Sequence, residues 1–183
     1  MTRLNLYMTT AAFLLAGCAV MMNPFSGLGV ISDQESKMDG SEVVEVSGNR
    51  VVGNGGMSSF DGAMLGGRWE SVSPEIVYIL VTYTSSADGQ PIIIEFDELR
   101  VNVNGTITSF KPVGPARISM PLSYLESMLV AEDCKLQLIR GPNVTEGDFS
   151  IASDRGRPTA KVSLQRFYDK VRTTKTERAA KQI

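Results

Sequence analysis

The chain has 183 residues, a formal net charge of −2 and no histidine, and these values exclude several kinds of chemistry. Without histidine, the Ser-His-Asp and Cys-His catalytic systems are excluded, and most zinc and iron sites lack their usual ligand. The weak negative charge disfavours nucleic acid as a partner, because nucleic acid binds to basic surfaces.

The first eighteen residues have the pattern of an export signal. Arg3 supplies a positive charge and residues 6–16 form an apolar run that is too short to cross a bilayer. No other apolar stretch approaches eighteen residues, so the sequence predicts no transmembrane helix beyond this signal.

The segment Leu15-Ala16-Gly17-Cys18 resembles the lipobox of bacterial lipoproteins. The resemblance implies cleavage after Gly17, a diacylglycerol thioether on Cys18 and acylation of the new amino group, which makes the membrane the first expected partner. Two or more acyl chains anchor stably, because each buried methylene contributes roughly 0.8 kcal/mol. Ala19 stands where enteric lipoproteins of the inner membrane tend to have aspartate, which favours the outer membrane, facing the periplasm. The alternative is an ordinary secretory signal that is cut nearby.

Cleavage after residue 17 leaves 166 residues with a formal charge of −3, which suits one domain with its own core. Residues 18–41 hold the lipidated cysteine and a stretch with glycine and polar residues, which predicts a flexible tether with a reach on the order of 25 Å. A single β-rich domain is expected over residues 42–172, followed by a polar tail over 173–183.

Strands are predicted over much of the first half of the domain. Residues 42–46 and 50–52 are predicted as the arms of a hairpin around Ser47-Gly48-Asn49. Six glycines in residues 53–67 favour a mobile loop. Residues 76–83 are apolar on both faces, which predicts a central strand that is covered on two sides.

A second hairpin is predicted around Asn104-Gly105, because both residues tolerate the positive φ of a type I′ turn. The expected pairs are Leu99 with Phe110, Val101 with Thr108, and Val103 with Thr106. A strand over 92–96 precedes it, and the inward parity changes between Phe96 and Leu99, which predicts a bulge or break near residues 97–98.

Short strands over 117–120, 135–140 and 149–151 are predicted in the second half, together with two helices. A capping box at Ser123 and Glu126 predicts a helix over 124–132, with Leu125, Met128 and Leu129 on one side. From Pro158 onward, Leu164, Phe167, Tyr168 and Val171 recur at helical spacing, which predicts an amphipathic C-terminal helix whose polar end frays. The predicted fold is α+β, mainly an antiparallel sheet or sandwich with two helices.

Candidate functional side chains are few. Cys134 is interpreted as a buried structural thiol, with a reactive or paired thiol as the alternative. The carboxylates of Glu95, Asp97 and Glu98, and of Glu132 with Asp133, are the groups on which a glycosidase would depend, although solvated strand-edge acids explain them more simply.

Two further groups have both a structural and a binding interpretation. Trp69 with Tyr78, Tyr83 and Tyr124 would line a sugar- or lipid-binding groove, or else pack in the core. The basic stretch from Lys170 onward would touch anionic lipid, lipopolysaccharide or cell wall, or else form a solvated helix end.

The mature part loosely resembles small uncharacterised envelope lipoproteins of Gram-negative bacteria, and the resemblance implies no established activity. Four segments carry it: residues 65–69, residues 103–105, Leu122-Ser123 and Arg166-Phe167.

We expect a non-enzymatic envelope lipoprotein that binds or scaffolds another envelope component, an unknown protein or glycan. We therefore assign no catalytic, cofactor-binding or metal residue, and Cys18 alone as the lipidation site. A lipid or hydrophobic-ligand carrier is one alternative, which an apolar cavity of several hundred Å³ would favour. A carboxylate-based cell-wall or glycan hydrolase is the other, which a cleft with two facing acids would favour.

Overall fold

Antiparallel strands make up most of the fold, and two helices complete it. The computed structural model describes residues 28–36, 39–53, 63–84, 91–93 and 95–181. In chain order the elements are β1 (Ile31–Glu35), β2 (Glu42–Arg50), β3 (Val52–Gly53), β4 (Ala63–Glu70), β5 (Ile76–Thr84), β6 (Pro91–Ile93), β7 (Glu98–Val103), β8 (Thr106–Phe110), β9 (Pro112–Gly114), β10 (Arg117–Pro121), α1 (Leu122–Val130), β11 (Cys134–Arg140), β12 (Asn143–Asp148), β13 (Ser153–Asp154), β14 (Arg157–Pro158) and α2 (Ala160–Lys181).

The strands form two sheets and a separate hairpin of β13 and β14. The first sheet has the order β1-β2-β4-β5-β10-β9, with β6 also paired to β5, and the second has the order β3-β12-β11-β7-β8. Every pairing is antiparallel. The chain passes between the two sheets five times, and at two of these passages a single residue makes the connection: Val51 between β2 and β3, and Lys111 between β8 and β9. The predicted α+β class is confirmed.

The inner face of the first sheet is built from rows of apolar side chains that lie opposite one another. Val44 pairs with Trp69, Trp69 with Val77, and Val77 with Met120, so that one row crosses four strands. Directly opposite residues share a face, and all four of these side chains are buried. The row therefore requires a covering layer on the inner side of the sheet.

Helix α2 supplies that layer and approaches β4 closely at Gly67. A Cβ atom at Gly67 would lie 3.0 Å from Cε1 of Phe167 and 3.1 Å from Cδ2 of Leu164. The helix buries one residue every three or four positions from Ala160 to Thr174, as an amphipathic helix does. The predicted C-terminal helix is confirmed, but it continues to Lys181 where a fraying polar tail was expected over 173–183.

The inner face of the second sheet and helix α1 belong to the same hydrophobic core as the first sheet and α2. Helix α1 buries Leu125, Met128 and Leu129, as its spacing predicts. It begins at Leu122, two residues earlier than predicted, and the predicted capping box is wrong, because Pro121 is the N-cap and no side chain caps the helix. The N–H of Leu122 donates to the carbonyl of Glu75 at 2.8 Å, so the chain passes directly from β10 into the helix.

The hairpin of β7 and β8 has the predicted register. Leu99 pairs with Phe110, Val101 with Thr108 and Val103 with Thr106. Asn104 and Gly105 have φ values of 49° and 90°, as a type I′ turn requires. The predicted break before this hairpin is also present, because β6 belongs to the first sheet and β7 to the second.

The hairpin predicted over residues 42–52 is wrong, since β2 continues from Glu42 to Arg50. The pairing of β2 with β4 shifts between Val46 and Asn49, so that Ser47-Gly48 forms an irregularity within the strand. A Cβ atom at Gly48 would lie 3.0 Å from Cβ of Met64. Glycine is therefore needed here for the approach of two strands, and no turn forms.

The glycine-rich loop predicted over residues 53–67 is wrong at its C-terminal end. Residues 63–67 belong to β4, while residues 54–62 lie outside the described part of the chain. A Cβ atom at Gly66 would lie 2.7 Å from the carbonyl oxygen of Val46. Gly66 and Gly67 thus allow close packing on opposite faces of one strand. In the sequence, however, such a pair of glycines looks like part of a loop.

Two other strand predictions also differ from the structure. The strand predicted over 92–96 is limited to Pro91–Ile93. The strand predicted over 149–151 is absent from this described stretch, and β12 lies just before it at Asn143–Asp148. The return strand begins at Asn143 because Gly141-Pro142 forms a tight turn directly after β11. Gly141 has a φ of 54°, as such a turn allows for glycine.

Replacing Gly67 by alanine tests the packing of α2 on β4. We expect Gly67→Ala to lower the free energy of unfolding by about 1–3 kcal/mol, because the added methyl group overlaps two buried side chains. Chemical denaturation of the purified protein measures this change. Gly114→Ala is the matched control, since its methyl group would meet only the flexible guanidinium of Arg117, and we expect a change within about 0.5 kcal/mol. Equal stability of the two variants would contradict the close approach.

Candidate functional site

The segment predicted to be a flexible tether contains strand β1, near the start of the described chain. Strand β1 pairs with β2 from Ile31 opposite Val46 to Glu35 opposite Glu42. Nζ of Lys170 lies 2.6 Å from Oδ2 of Asp33, and this hydrogen bond lowers the pKa of Asp33. The prediction of a flexible tether is therefore wrong for residues 31–35, because β2 offers an edge whose backbone groups this segment satisfies.

The side chain of Asn49 joins β2 to helix α2 and to the β13–β14 hairpin, at the end of the domain where the described chain begins. Its buried Nδ2 donates to Oγ of Ser163 at 2.8 Å and to the carbonyl oxygen of Pro158 at 3.2 Å. Gly29 packs on Asn49 and Ser163, since a Cβ atom at Gly29 would lie 2.3 Å from Oγ of Ser163 and 3.2 Å from Nδ2 of Asn49. Next to it, Nη2 of Arg50 donates to the carbonyl oxygen of Asp154 at 2.7 Å. We call this end of the domain, defined by Gly29, Asn49, Ser163 and the β13–β14 hairpin, the entry end.

Cys18 lies outside the described residues, so its lipidation stays a prediction. Nine residues separate Cys18 from Leu28, the first described residue. A chain of that length spans at most about 36 Å between the two Cα atoms, even when fully extended. The separation between Cys18 and the entry end is therefore bounded by this length.

The outer face of the second sheet is an exposed polar surface. One row crosses four strands, with Ser109 opposite Arg100, Arg100 opposite Gln137, and Gln137 opposite Glu146. Ile107 and Val144 flank this surface and are 64% and 52% exposed. A shallow cavity of about 110 Å³ lies on it, lined by Arg100, Asn102, Ile107, Lys135, Leu136, Gln137 and Glu146. We call this surface the outer face.

Three of the five candidate carboxylates are engaged in structural contacts. Oε1 of Glu98 accepts from Nε of Arg100 at 2.7 Å, and this hydrogen bond is the main reason that the pKa of Glu98 is lowered. Oδ2 of Asp97 accepts from the backbone N–H of Gly141 at 2.6 Å, and Asp133 lies 3.4 Å from Nζ of Lys135. A general acid needs a raised pKa, so the shift at Glu98 is opposite to that requirement. Glu95 and Glu132 are exposed.

The four aromatic candidates do not line one groove. Trp69 is fully buried, and its Nε1 donates to the carbonyl oxygen of Pro74 at 3.0 Å. Tyr78 lies on the opposite face of the sheet, under the guanidinium of Arg117 at 4.9 Å. Tyr83 packs against the core, and Tyr124 meets Phe110 edge to face at 5.0 Å between ring centroids. The core-packing interpretation is confirmed for Trp69.

Three of the five basic side chains from Lys170 onward contact other parts of the domain. Nζ of Lys175 lies 2.6 Å from Oε1 of Glu75, and Nη1 of Arg178 donates to the carbonyl oxygen of Gly40 at 3.0 Å. Together with Lys170 and Asp33, these contacts fasten neighbouring segments to the helix. Thr174 is also buried, so α2 remains packed on the domain beyond residue 172.

Cys134 is fully buried at the start of β11 and forms no disulfide. Burial raises the pKa of its thiol to about 12, because the apolar surroundings disfavour the thiolate. The prediction that this thiol is buried is confirmed, and its lack of reactivity stays a prediction.

Two features of the entry end could not be recognised from the sequence patterns used above. The sequence pattern predicts a turn at Asn49 and predicts no hairpin over residues 153–158. The local signal for the hairpin is Gly156 in Arg155-Gly156, because glycine readily adopts positive φ. Both residues have positive φ, at 50° and 73°.

No group of three or more potential metal ligands occurs among the described residues, and no described helix is long and apolar enough to cross a membrane. No protein family matches this chain, and no curated protein or solved structure is significantly similar to it. The segment of residues 65–69, which carries the resemblance noted above, lies in the middle of β4 and serves packing.

Thiol labelling tests the environment of Cys134. We expect the folded protein to react with a thiol reagent at least about a hundredfold more slowly than the protein in denaturant, because the reactive thiolate is both buried and disfavoured. Stopped-flow or quenched labelling followed by mass spectrometry measures both rates. Similar rates in the two states would contradict a closed core at β11.

Proposed function

We propose that this chain is an exported lipoprotein of the bacterial cell envelope, anchored through lipid on Cys18 to the outer membrane and facing the periplasm. The observation that carries the proposal is the lipobox-like segment Leu15-Ala16-Gly17-Cys18 after a short apolar run, and the short spacing to the first strand is compatible with it. Nine residues connect Cys18 to Leu28, and from Gly29 onward the chain is fixed to the domain by β2, Asn49 and Ser163. A domain that is attached so near its anchor suits a role at the membrane surface.

We further propose that the domain binds another envelope component and catalyses no reaction. The contacts of Asp97 and Glu98 support this part, since both carboxylates are used to hold the backbone or a neighbouring arginine. Catalysis by two carboxylates requires one acid with a raised pKa across a cleft from the other. The lowered pKa of Glu98 disfavours that role.

Binding on the surface is better supported than carriage of a lipid inside the domain. The interior is occupied by the protein's own large side chains, including the fully buried Trp69, Phe149 and Phe167. The wider surface cavities described are lined mainly by charged and hydroxyl side chains, as at Asp169, Arg172 and Glu177. A lipid-binding pocket is typically a concave site with predominantly apolar walls.

The outer face is the proposed binding surface, and its chemistry favours a protein partner. Arg100, Lys135 and Glu146 place charges of both signs beside the exposed Ile107. Charged groups around exposed apolar side chains are typical of protein interfaces, in which complementary charges select the partner. A glycan partner is the other outcome that the test below distinguishes.

Mass spectrometry of the mature amino-terminal peptide tests the anchor. We expect acyl mass on Cys18 and no residue before it, because the lipobox directs modification before cleavage. Cys18→Ser should remove the acyl mass while leaving the folded domain intact, because the lipobox precedes the residues that form the sheets and helices. An unmodified peptide that begins at another residue would overturn this proposal. Sucrose-gradient separation of the two membranes then tests the assignment to the outer membrane.

Photocrosslinking in the native membranes tests the outer face. A photoreactive phenylalanine analogue at Ile107 should give one discrete, protease-sensitive adduct, because this exposed position borders the cavity. The same analogue at Thr173, which is exposed on α2, is the control and should give no such adduct. An adduct that only a muramidase removes would assign a glycan partner. Equal adducts at both positions, or none at Ile107, would exclude this face as the binding surface.

A further inference from the structure

The hydrogen bonding of β7 leaves one edge of the second sheet open along β8. The N–H of Asn104 donates to the carbonyl oxygen of Asp133 at 2.8 Å, which continues the pairing of β7 with β11. Backbone groups of successive residues in a strand point to opposite neighbours, so this contact fixes which residues of β7 bond to β11 and which bond to β8. In β8 the N–H and C=O groups of Ile107 and Ser109 therefore point away from the sheet.

These outward backbone groups are unpaired. The N–H and C=O groups of Ile107 and Ser109 form no hydrogen bond within the part of the chain that the structure describes, and both residues are exposed. The two residues lie about 7 Å apart, because a strand rises about 3.4 Å per residue. Another extended strand presents donors and acceptors at the same spacing, so an extended peptide backbone is the chemistry that fits this edge.

The strands at the other three ends of the two sheets are protected against such pairing. Strand β1 carries Asp33 and Glu35, β9 begins with Pro112, and β3 has only two residues. Charged side chains, proline and short length are the means by which natural sheet edges avoid pairing with other chains. Strand β8 has none of them, since its five residues, Thr-Ile-Thr-Ser-Phe, are uncharged and pair with β7 without a register shift.

The open edge adjoins the outer face. Ser109 is opposite Arg100 in the row that defines this face, and Ile107 lines its cavity. A second copy of β8 would offer only uncharged side chains to the exposed Arg100 and Lys135 nearby. A segment of another protein can carry charges that complement them, so these residues favour such a segment over a second copy.

We propose that an extended segment of the partner protein adds to β8 as a further strand, with its backbone bonded to Ile107 and Ser109 and an apolar side chain opposite Ile107. The inference rests on the proposed function, because it assumes a protein partner at the outer face. Main-chain hydrogen bonds supply affinity in such complexes, and side chains at alternate positions select the partner. Ile107 is 64% exposed, and an apolar neighbour on the added strand would cover it.

Proline and alanine at residue 109 form a matched pair that tests the strand addition by photocrosslinking from Ile107 in native membranes. Ser109→Pro should reduce the protein adduct at least about tenfold, because proline has no N–H to donate to the added strand. Edge strands accept proline where the N–H faces solvent, so the domain should still fold, which thermal unfolding checks. Ser109→Ala removes the same hydroxyl, which bonds to Glu98, but keeps the N–H, and its adduct should equal that of the wild type.

Hydrogen exchange at single-residue resolution tests the same edge without a substitution. The amides of Ile107 and Ser109 should exchange at least about tenfold more slowly in isolated native membranes than in the purified full-length protein, because the added strand accepts hydrogen bonds from them. The amide of Glu35 is the control and should exchange equally in both samples. It points away from β2 by the alternation that starts where the N–H of Ser47 donates to the carbonyl oxygen of Val30.

Equal adducts from Ser109→Pro and Ser109→Ala, an adduct that only a muramidase removes, or equal exchange of the two amides in both samples would overturn the strand addition. The first and third of these results leave the outer face as the binding surface. If the wild type gives no adduct, the outer face is excluded. In that case, or if Ser109→Pro does not fold, the amides alone decide: slower exchange in membranes supports the added strand, and equal exchange overturns it. Slow exchange that persists in a purified protein that sediments as a dimer would assign the edge to a second copy and overturn the partner segment.

Discussion

The close approach of α2 to β4 at Gly67 is the constraint on which the rest of the structure depends. The inner face of the first sheet is a continuous apolar surface, with rows such as Val44, Trp69, Val77 and Met120, and it is stable in water only when it is covered. The missing side chain at residue 67 lets Phe167 and Leu164 fill the space above the strand. A methyl group at that position would lift the helix, and every contact along its buried stripe would loosen with it.

The ion pairs around α2 have a different role from its apolar face. Lys170 with Asp33 and Lys175 with Glu75 are partly exposed pairs, which contribute little to stability individually. Their effect is to fix the position of β1 and of the turn before β5 against a helix that the core already holds. The basic stretch, which would look like a membrane-binding tail in isolation, is thereby used within the domain.

Asn49 makes the entry end a defined structural unit. An amide buried in an apolar domain has to satisfy its hydrogen bonds, and this one does so with Ser163, Pro158 and Thr159. The same contacts bring Gly29 and the β13–β14 hairpin together.

The sequence by itself determined the elements whose signals are local. The Asn104-Gly105 hairpin has the predicted register because two adjacent residues specify the turn and the alternation of Leu99, Val101 and Val103 specifies the face. The helical spacing of Leu164, Phe167 and Val171 specified α2 in the same way, and the class of the fold followed from the strand patterns.

Only the tertiary structure decided the features that depend on distant neighbours. The glycines at positions 48, 66 and 67 indicated turns or loops locally, whereas their role is set by Met64, Val46 and Phe167 across the sheet. Residues 32–35 are polar and give β1 no strand signal, but β1 pairs because β2 leaves an edge open. The entry end is a further case, since the hydrogen bonds of Asn49 join residues more than 100 positions apart in the chain, and no local pattern can encode such a contact.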